Sequence, residues 1–302
     1  MILKKRILAF LFIVFINAST AYSQTKDSSS NKVSLPAKSY FKFSTAYKSN
    51  AVWEGRKDSG VISYITPEIT YVNKSGWNVA GSLSYSPNAE VKQIDLITLE
   101  AGYEHEIDSV FTVNFSTSAF FYNPYSVAVN SESSGFIGAG VQYSPKDIIT
   151  ASATIDVALS TKPDIVTNLV LSHPFYFGDT GHDWSFAPTA SLFAGTQNYY
   201  QNYYTNRKFN QTVRLHGKGR GRNNGTTTSN ATTVNIVSKS SYAILDYELS
   251  CPLTFDATKW GLFATPTYAI PVHPITYNEG GTNITEQLSN TFYFEAGAYV
   301  KF

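Results

Sequence analysis

Residues 286–302, EQLSNTFYFEAGAYVKF, alternate with a period of two. Phe302, Val300, Ala298, Ala296, Phe294, Phe292 and Leu288 are apolar, broken by Asn290, while Lys301, Tyr299, Glu295, Tyr293, Thr291 and Ser289 stand between them and Gly297 interrupts the polar set. Successive side chains of a strand point to opposite faces, so this spacing describes a strand with one surface in an apolar medium and the other in water. A half-buried strand of a soluble sheet has the same period. What tips the reading toward lipid is the outward aromatic Phe302 on which the segment stops, together with earlier segments that repeat the pattern.

The first residues read as a secretory signal: Lys4, Lys5 and Arg6, an apolar run from Ile7 to Ile16, then small residues through Ala21, Tyr22 and Ser23. We expect residues 1–23 to be this signal, cut before Gln24. The apolar run reaches only about half of the ~20 residues of a membrane-spanning helix. Residues 24–38, with Ser28, Ser29, Ser30, Asn31 and Pro36, have little to bury and read as a flexible periplasmic tail. The sole cysteine, Cys251, cannot form an internal disulfide. A net charge of +1 gives no bias toward nucleic acid. Aromatic residues make up 15% of the chain and charged residues also 15%, against about 25% charged in soluble domains, so much of the surface is expected to face something other than water.

From Ser39 onward the pattern predicts twelve strands, about 39–48, 60–73, 77–86, 92–106, 110–122, 134–144, 148–160, 164–177, 183–199, 239–255, 260–272 and 287–302. Short connections with Gly, Asn, Asp and Pro (73–76, 108–109, 144–147, 178–183 and 256–259) alternate mainly with longer ones (49–59, 123–133, 200–238 and 273–286), and two further connections near Pro87 and Pro163 are short. Residues 39–302 are therefore expected to form an all-β, transmembrane antiparallel up-and-down β-barrel of about 12 strands, with short periplasmic turns, longer external loops and both ends in the periplasm. A secreted β-sandwich would alternate too, but its wet face should be rich in Lys and Glu, and here that face is mainly Ser, Thr, Asn, Gly and Tyr.

Parity places Phe41, Ile69, Val79, Leu99, Phe115, Ile155, Leu169, Leu245, Leu249 and Leu262 outward, and Trp77, Trp184 and Trp260 just after short turns, where an aromatic girdle belongs. The same parity sends carboxylates inward. Glu68, Glu100, Asp156, Asp246, Glu248 and Glu295 fall at similar heights as a partial acidic belt, with Glu104 also inward and Lys42 the clearest wall cation. Like charges in a narrow lumen need compensation, so something positive is expected there. Residues 201–238 hold no acidic residue and carry Arg207, Lys208, Arg214, Lys218, Arg220 and Arg222 among pliable glycines. This fifth external loop either folds into the mouth and pairs with the belt or lies solvated against lipid head groups.

Catalytic chemistry is not evident. His105 and His173 fall on outward rims, and His182, His216 and His273 in turns and loops, too scattered for a triad or a metal site. Asp246 and Glu248 share a face as glycosidase carboxylates would, but in a wet acidic lumen they read as selectivity groups. Residues 217–221 look like a phosphate cradle but lack the strand and helix that such loops require. We expect no enzyme activity, no cofactor, no metal and no nucleic-acid partner.

A chain whose last strand ends in Phe resembles bacterial outer-membrane β-barrels, and residues 40–107 resemble the start of the TorF-type porins. The likeness lies in Ser44-Thr45-Ala46-Tyr47 leading to Trp53-Glu54-Gly55-Arg56, in YVNKSGWNVAG from Tyr71 to Gly81, and in Ile94-Asp95-Leu96 running to Ala101-Gly102-Tyr103. The long basic loop departs from that family's pattern, which leaves the substrate range open. The resemblance implies a porin of the Gram-negative outer membrane, bedded in lipid and lipopolysaccharide and inserted by the barrel-assembly machinery through the strand ending in Phe302. The expected function is a narrow diffusion channel or small-solute uptake protein that prefers cations. The alternative is a non-conducting surface protein whose external loops bind a partner or lipopolysaccharide.

Overall fold

The computed structural model describes residues 38–57, 61–87, 93–123, 126, 133–145, 149–179, 182–199, 234–237, 241–279 and 281–302. In chain order the strands are β1 (Tyr40–Lys48), β2 (Val52–Trp53), β3 (Arg56–Lys57), β4 (Tyr64–Val72), β5 (Trp77–Ser86), β6 (Gln93–Glu106), β7 (Phe111–Tyr122), β8 (Gly135–Tyr143), β9 (Thr150–Leu159) and β10 (Asp164–Ser172). They continue as β11 (Phe175–Asp179), β12 (His182–Phe186), β13 (Thr189–Gly195), β14 (Val234–Ile236), β15 (Ala243–Ser250), β16 (Leu253–Ala257), β17 (Trp260–Pro271), β18 (Thr276–Glu279), β19 (Thr282–Thr285) and β20 (Thr291–Lys301). Three expected strands are each split in two by a proline: β10 and β11 at Pro174, β12 and β13 at Pro188, β15 and β16 at Pro252. With those halves joined, twelve antiparallel staves form a closed barrel.

Each stave pairs with its chain neighbours, and β1 pairs with β20, Ser44 opposite Tyr299, to close the wall. Phe302 donates its N–H to the Phe41 carbonyl at 2.9 Å, and Phe41 donates back at 3.2 Å, so the closing seam runs to the end of the chain. Closure leaves no edge whose backbone groups would face lipid unpaired. At one end of the wall the chain reverses in tight turns. Asn73 Oδ1 accepts the Ser75 N–H at 2.9 Å and Gly76 takes a φ of 94°; Asp108 Oδ1 accepts the Val110 and Phe111 N–H groups at 2.8 and 2.9 Å. The short Asn and Asp side chains supply the acceptors that such reversals need.

The outward face is a continuous apolar band that includes Phe41, Ile69, Val79, Leu99, Phe115, Ile155, Leu169, Leu249 and Leu262, all exposed. Toward the turn end, rings pair across strands: Phe41 with Tyr71 at 4.9 Å, Trp77 with Tyr103 at 4.8 Å, Phe111 with Tyr143 at 4.8 Å and Trp184 with Phe255 at 4.8 Å. An apolar waist with an aromatic rim is the surface of a barrel that spans a bilayer. No helix among the described residues is long and apolar enough to cross a membrane.

Two local features depart from the simple alternation. Leu245, expected to face outward, is 0% exposed. The β13–β15 register shifts between Phe193 and Ala194, which pair with Asp246 and Ile244, so Leu245 is the extra residue of a bulge and turns into the wall's inner side. The second feature is a row of prolines. Pro174, Pro188, Pro252 and Pro266 lie on four adjacent staves, and His173, Ala187 and Cys251 donate to the carbonyls of Pro188, Pro252 and Pro266 at 3.2, 2.9 and 3.2 Å. Each proline removes one donor from the ladder; the strands break at Pro174, Pro188 and Pro252, while β17 runs on through Pro266. His182, expected in a turn, opens β12 opposite Asp179, so that hairpin is tighter than its sequence indicates.

Beyond the wall, β14, β18 and β19 form a separate three-stranded sheet at the loop end. Inside, Phe120, Phe136 and Ala158 are buried together, with Trp53, Leu96 and Tyr122 packed against them. Burying one such ring is worth about 1.5–3 kcal/mol, so the inner wall carries a small apolar core of its own.

Leu99 is 53% exposed near the middle of β6. Leu99→Lys places an ammonium against lipid and is expected to cost about 2–4 kcal/mol of folding stability, whereas Ser82→Lys, inward on the neighbouring stave, is expected to cost roughly 1 kcal/mol or less. Urea titration of protein refolded into vesicles, read by heat-modifiable gel mobility, measures both.

Candidate functional site

The first long loop, residues 49–63, carries a small hairpin in which Val52 pairs with Lys57 and Trp53 with Arg56. Its two turn residues, Glu54 and Gly55, have φ of 47° and 73°. Two-residue hairpins favour turns with positive φ at both positions, which Gly adopts freely and Glu only at a cost. Asn50 Oδ1 accepts the Ile62 N–H at 3.1 Å and Ala51 donates to the Ile62 carbonyl at 2.7 Å, so the base of the loop is pinned.

The hairpin tip reaches across the barrel mouth. The Trp53 ring meets Phe136 at 5.5 Å on one wall. On another, a Cβ on Gly55 would stand 2.6 Å from Asp246 Oδ1 and 2.9 Å from Pro271 Cβ, so glycine is required by space as well as by φ. Glu54 is 7% exposed, and its Oε2 accepts the Tyr199 hydroxyl at 2.5 Å. Arg56 is 4% exposed and is the hub of the contact. Its Nε reaches Glu286 Oε2 at 3.2 Å and Oε1 at 3.3 Å, Nη1 donates to the Glu54 carbonyl at 3.2 Å, and Nη2 donates to the His273 carbonyl. With the Gln197 amide turned so that its oxygen faces the guanidinium, that oxygen accepts from Nη2 and Nη1 at 3.1 and 3.2 Å. A buried guanidinium is tolerable only when its donors are met in this way.

Asp164 anchors the neighbouring segment, accepting the Thr196 hydroxyl at 2.6 Å and the N–H groups of Asn198 and Tyr199 at 2.6 and 2.9 Å. Burial pushes the Glu54 carboxyl from 4.5 up to about 8; the Tyr199 hydroxyl and Arg56 pull it down, and Asp164 and Asp246 push it up. Burial also drives the Tyr199 phenol well above its ordinary value, so it remains the donor of that hydrogen bond.

Behind the hairpin lies a cavity of about 340 Å³ whose lining comes from most of the way round the wall. Glu68, Glu100, Asp156, Glu248 and Glu295 all line it. Glu68 accepts the Thr70 hydroxyl at 2.8 Å, lies 3.9 Å from the Lys42 ammonium and stands within electrostatic range of Glu100. Glu248 accepts the Tyr293 hydroxyl at 3.0 Å, and the Lys48 ammonium sits 5.5 Å over the Tyr293 ring, with Glu295 opposite Lys48 in the register. Asp156 stands apart on β9. Asp246 faces inward but is 0% exposed, its Oδ1 accepting the Ile270 N–H at 3.0 Å beneath Gly55. The carboxylates thus form local groups, with Asp246 covered by the hairpin.

Arg207, Lys208, Arg214, Lys218, Arg220 and Arg222 lie outside the described residues. Arg56 of the first loop brings a positive group to the mouth, where Glu286 pairs with it. The sequence signal was the Glu54-Gly55 pair between Trp53 and Arg56, a two-residue hairpin signature inside a stretch read as open loop. Lys301 is a further wall cation, 3.6 Å from Asp256. Among the described residues no group of three His, Cys, Asp or Glu is arranged to hold a metal ion.

No protein-family model matches the chain, and no curated protein matches it. Solved structures are similar in fold. A KdgM porin shares 8% identity over 87% of this chain and 99% of its own, with a TM-score of 0.44. A bacterial polysaccharide outer membrane secretin shares 7% over 88% and 98%, with 0.40, and an anion-selective porin from Comamonas acidovorans 9% over 87% and 98%, with 0.24.

Because Glu54 holds its proton more tightly in the docked hairpin than when free, docking is strongest below pH 4.5, weakens as pH rises toward about 8, and changes no further above that. In a variant with Trp53 as the sole tryptophan, acrylamide quenching is expected to rise over that window. Glu54→Gln is expected to flatten the profile.

Proposed function

We propose that the chain is a porin-like diffusion channel of the bacterial outer membrane, narrowed by its first loop and preferring cations. The observation that carries this reading is the charge of the lumen. Six carboxylates (Glu54, Glu68, Glu100, Asp156, Glu248 and Glu295) line the cavity against three lysines (Lys42, Lys48 and Lys301). Acidic linings favour cations over anions in a narrow, low-dielectric passage. A twelve-stave wall is wide enough to leave room between its side chains, and the hairpin takes up part of that room. The turn end then faces the periplasm with both chain ends, and the loop end with its extra sheet faces outward. Lipid and lipopolysaccharide cover the apolar band, the barrel-assembly machinery takes up the strand that ends in Phe302, and the TorF-type likeness of residues 40–107 fits the same role.

The second reading, a non-conducting surface protein, is favoured by one observation: Trp53, Glu54 and Arg56 pack against several walls at the mouth, as a stopper would. Planar-bilayer recording with asymmetric salt separates the two. Steady steps with a cation-selective reversal potential are expected, and Arg56→Ala is expected to raise conductance about twofold or more by releasing a hairpin whose buried charge contacts are worth several kcal/mol. Absence of steps from heat-modifiable, folded protein would support the stopper, and an anion-selective potential would reject the cation preference. Deleting residues 212–232 in the same assay tests the fifth loop separately.

A further inference from the structure

Every lysine or arginine on the twelve staves lies at the closing seam: Lys42 and Lys48 on β1 and Lys301 on β20. The remaining staves carry carboxylates and no cation. The lumen is therefore divided across its width into a seam of mixed charge and an acidic remainder.

The strand register shows where the two meet. Lys301 stands opposite Lys42, Lys42 opposite Thr70, Thr70 opposite Ala80 and Ala80 opposite Glu100, so one row of partners runs from β20 through β1, β4 and β5 to β6. Two residues along each strand, a second row on the same face holds Ser44, Glu68, Ser82 and Thr98. The residues of both rows line the cavity. The patch thus has two ammonium groups at one end, a carboxylate at the other, a second carboxylate between them, and a floor of short side chains, Thr70, Ala80 and Ser82.

The two ends of the row do not neutralise each other directly. The Lys42 ammonium stands 3.9 Å from Glu68 Oε1, beyond hydrogen-bond distance, and makes no hydrogen bond among the described residues. Lys301 reaches Asp256 at 3.6 Å and lies 5.0 Å over the Tyr299 ring. Glu100 makes neither a hydrogen bond nor an ion pair among the described residues, although Lys42 and Glu68 are both within electrostatic range of it. Lys42 and Glu100 sit three staves apart, about 14 Å between backbones along the sheet. With both side chains reaching into the cavity, the gap between their charged ends exceeds an ion pair and has the scale of one small molecule.

We propose that this row is a binding site for a small zwitterion of α-amino-acid size, its carboxylate held by Lys42 beside Lys301 and its ammonium by Glu100 beside Glu68. The site deepens the reading of the lumen as an open passage for small solutes and rests on it. Charge-assisted hydrogen bonds at both ends distinguish a solute that carries both groups from one that carries either alone. A simple cation would find the carboxylates but be repelled by the lysines, and a simple anion would meet the reverse. A neutral solute would displace water from charged groups without replacing its hydrogen bonds.

The test uses the refolded full chain at about pH 8, above the ordinary range of glutamate carboxyls and below that of lysine. Titration with L-alanine, read by saturation-transfer NMR, is expected to give a saturable signal. Ethylamine, which lacks the carboxylate, and propionate, which lacks the ammonium, are each expected to bind about tenfold more weakly. Lys42→Gln is expected to weaken alanine about tenfold without weakening ethylamine, and Glu100→Gln to weaken alanine about tenfold without weakening propionate. A general loss of structure would not give this crossed pattern. If a charge variant does not refold to a heat-modifiable form, Ala80→Leu, which fills the floor and keeps every charge, is read instead, with a loss of about tenfold for alanine expected. Ethylamine or propionate binding as tightly as alanine, unchanged alanine affinity in the variants, or no saturable signal from alanine overturns the proposal. Bilayer recording on the same preparation keeps the two readings apart: conductance without saturable binding removes the site alone, whereas binding without conductance upholds the site in a closed lumen and removes the channel.

Discussion

Everything in this molecule depends on one requirement, that no backbone N–H or C=O be left facing hydrocarbon. A sheet meets it only by joining its first and last staves, and the β1–β20 pairing does so down to Phe302. Closure fixes the rest in turn. It divides every strand into a lipid side and an inner side, so the outward residues become an apolar band and the inward ones inherit whatever water the lumen holds. That is why carboxylates can be carried on the inner face without the paired cations that a packed interior would demand.

The first loop solves a different problem with the same physics. Its tip brings an arginine into a nearly dry contact, and taking a guanidinium out of water costs several kcal/mol unless its five donors are used. Glu286, the carbonyls of Glu54 and His273, and Gln197 use them. Glu54 avoids the parallel cost by keeping its proton, and Gly55 removes the side chain that would hold the tip away from Asp246. The hairpin is thus fitted by charge, protonation and absent volume together, and each of the three is set by a neighbouring residue of a single tetrapeptide.

The twelve staves were legible because lipid on one face and water on the other leave a clean period of two, seen in Phe41, Phe43, Ile69 and Leu99 alike. The inward placement of Glu68, Glu100, Asp156, Glu248 and Glu295 followed from the same parity. Leu245 was misplaced because a bulge inserts one residue, and parity has no memory of such an insertion until the partner strand is known. The hairpin was missed for a related reason: Trp53 to Arg56 is too short to show a period, and its meaning comes from Tyr199, Asp246, His273 and Glu286, which are distant in sequence and converge only when the barrel closes. The Phe120–Phe136 core inside the wall was likewise invisible, since inward aromatics read as interruptions of a polar face until β6 to β9 are set side by side.

The row of prolines has a mechanical consequence. A barrel resists deformation through its ladder of cross-strand hydrogen bonds, and Pro174, Pro188, Pro252 and Pro266 thin that ladder along one line across four neighbouring staves. The staves from β4 to β9 carry no such line; only Pro67 interrupts their backbone donors. The wall is therefore stiff over about half its circumference and creased over the rest, and a change in bilayer thickness or lateral pressure would be absorbed as bending at the crease, leaving the half that carries Glu100, Phe120, Phe136 and Asp156 undistorted.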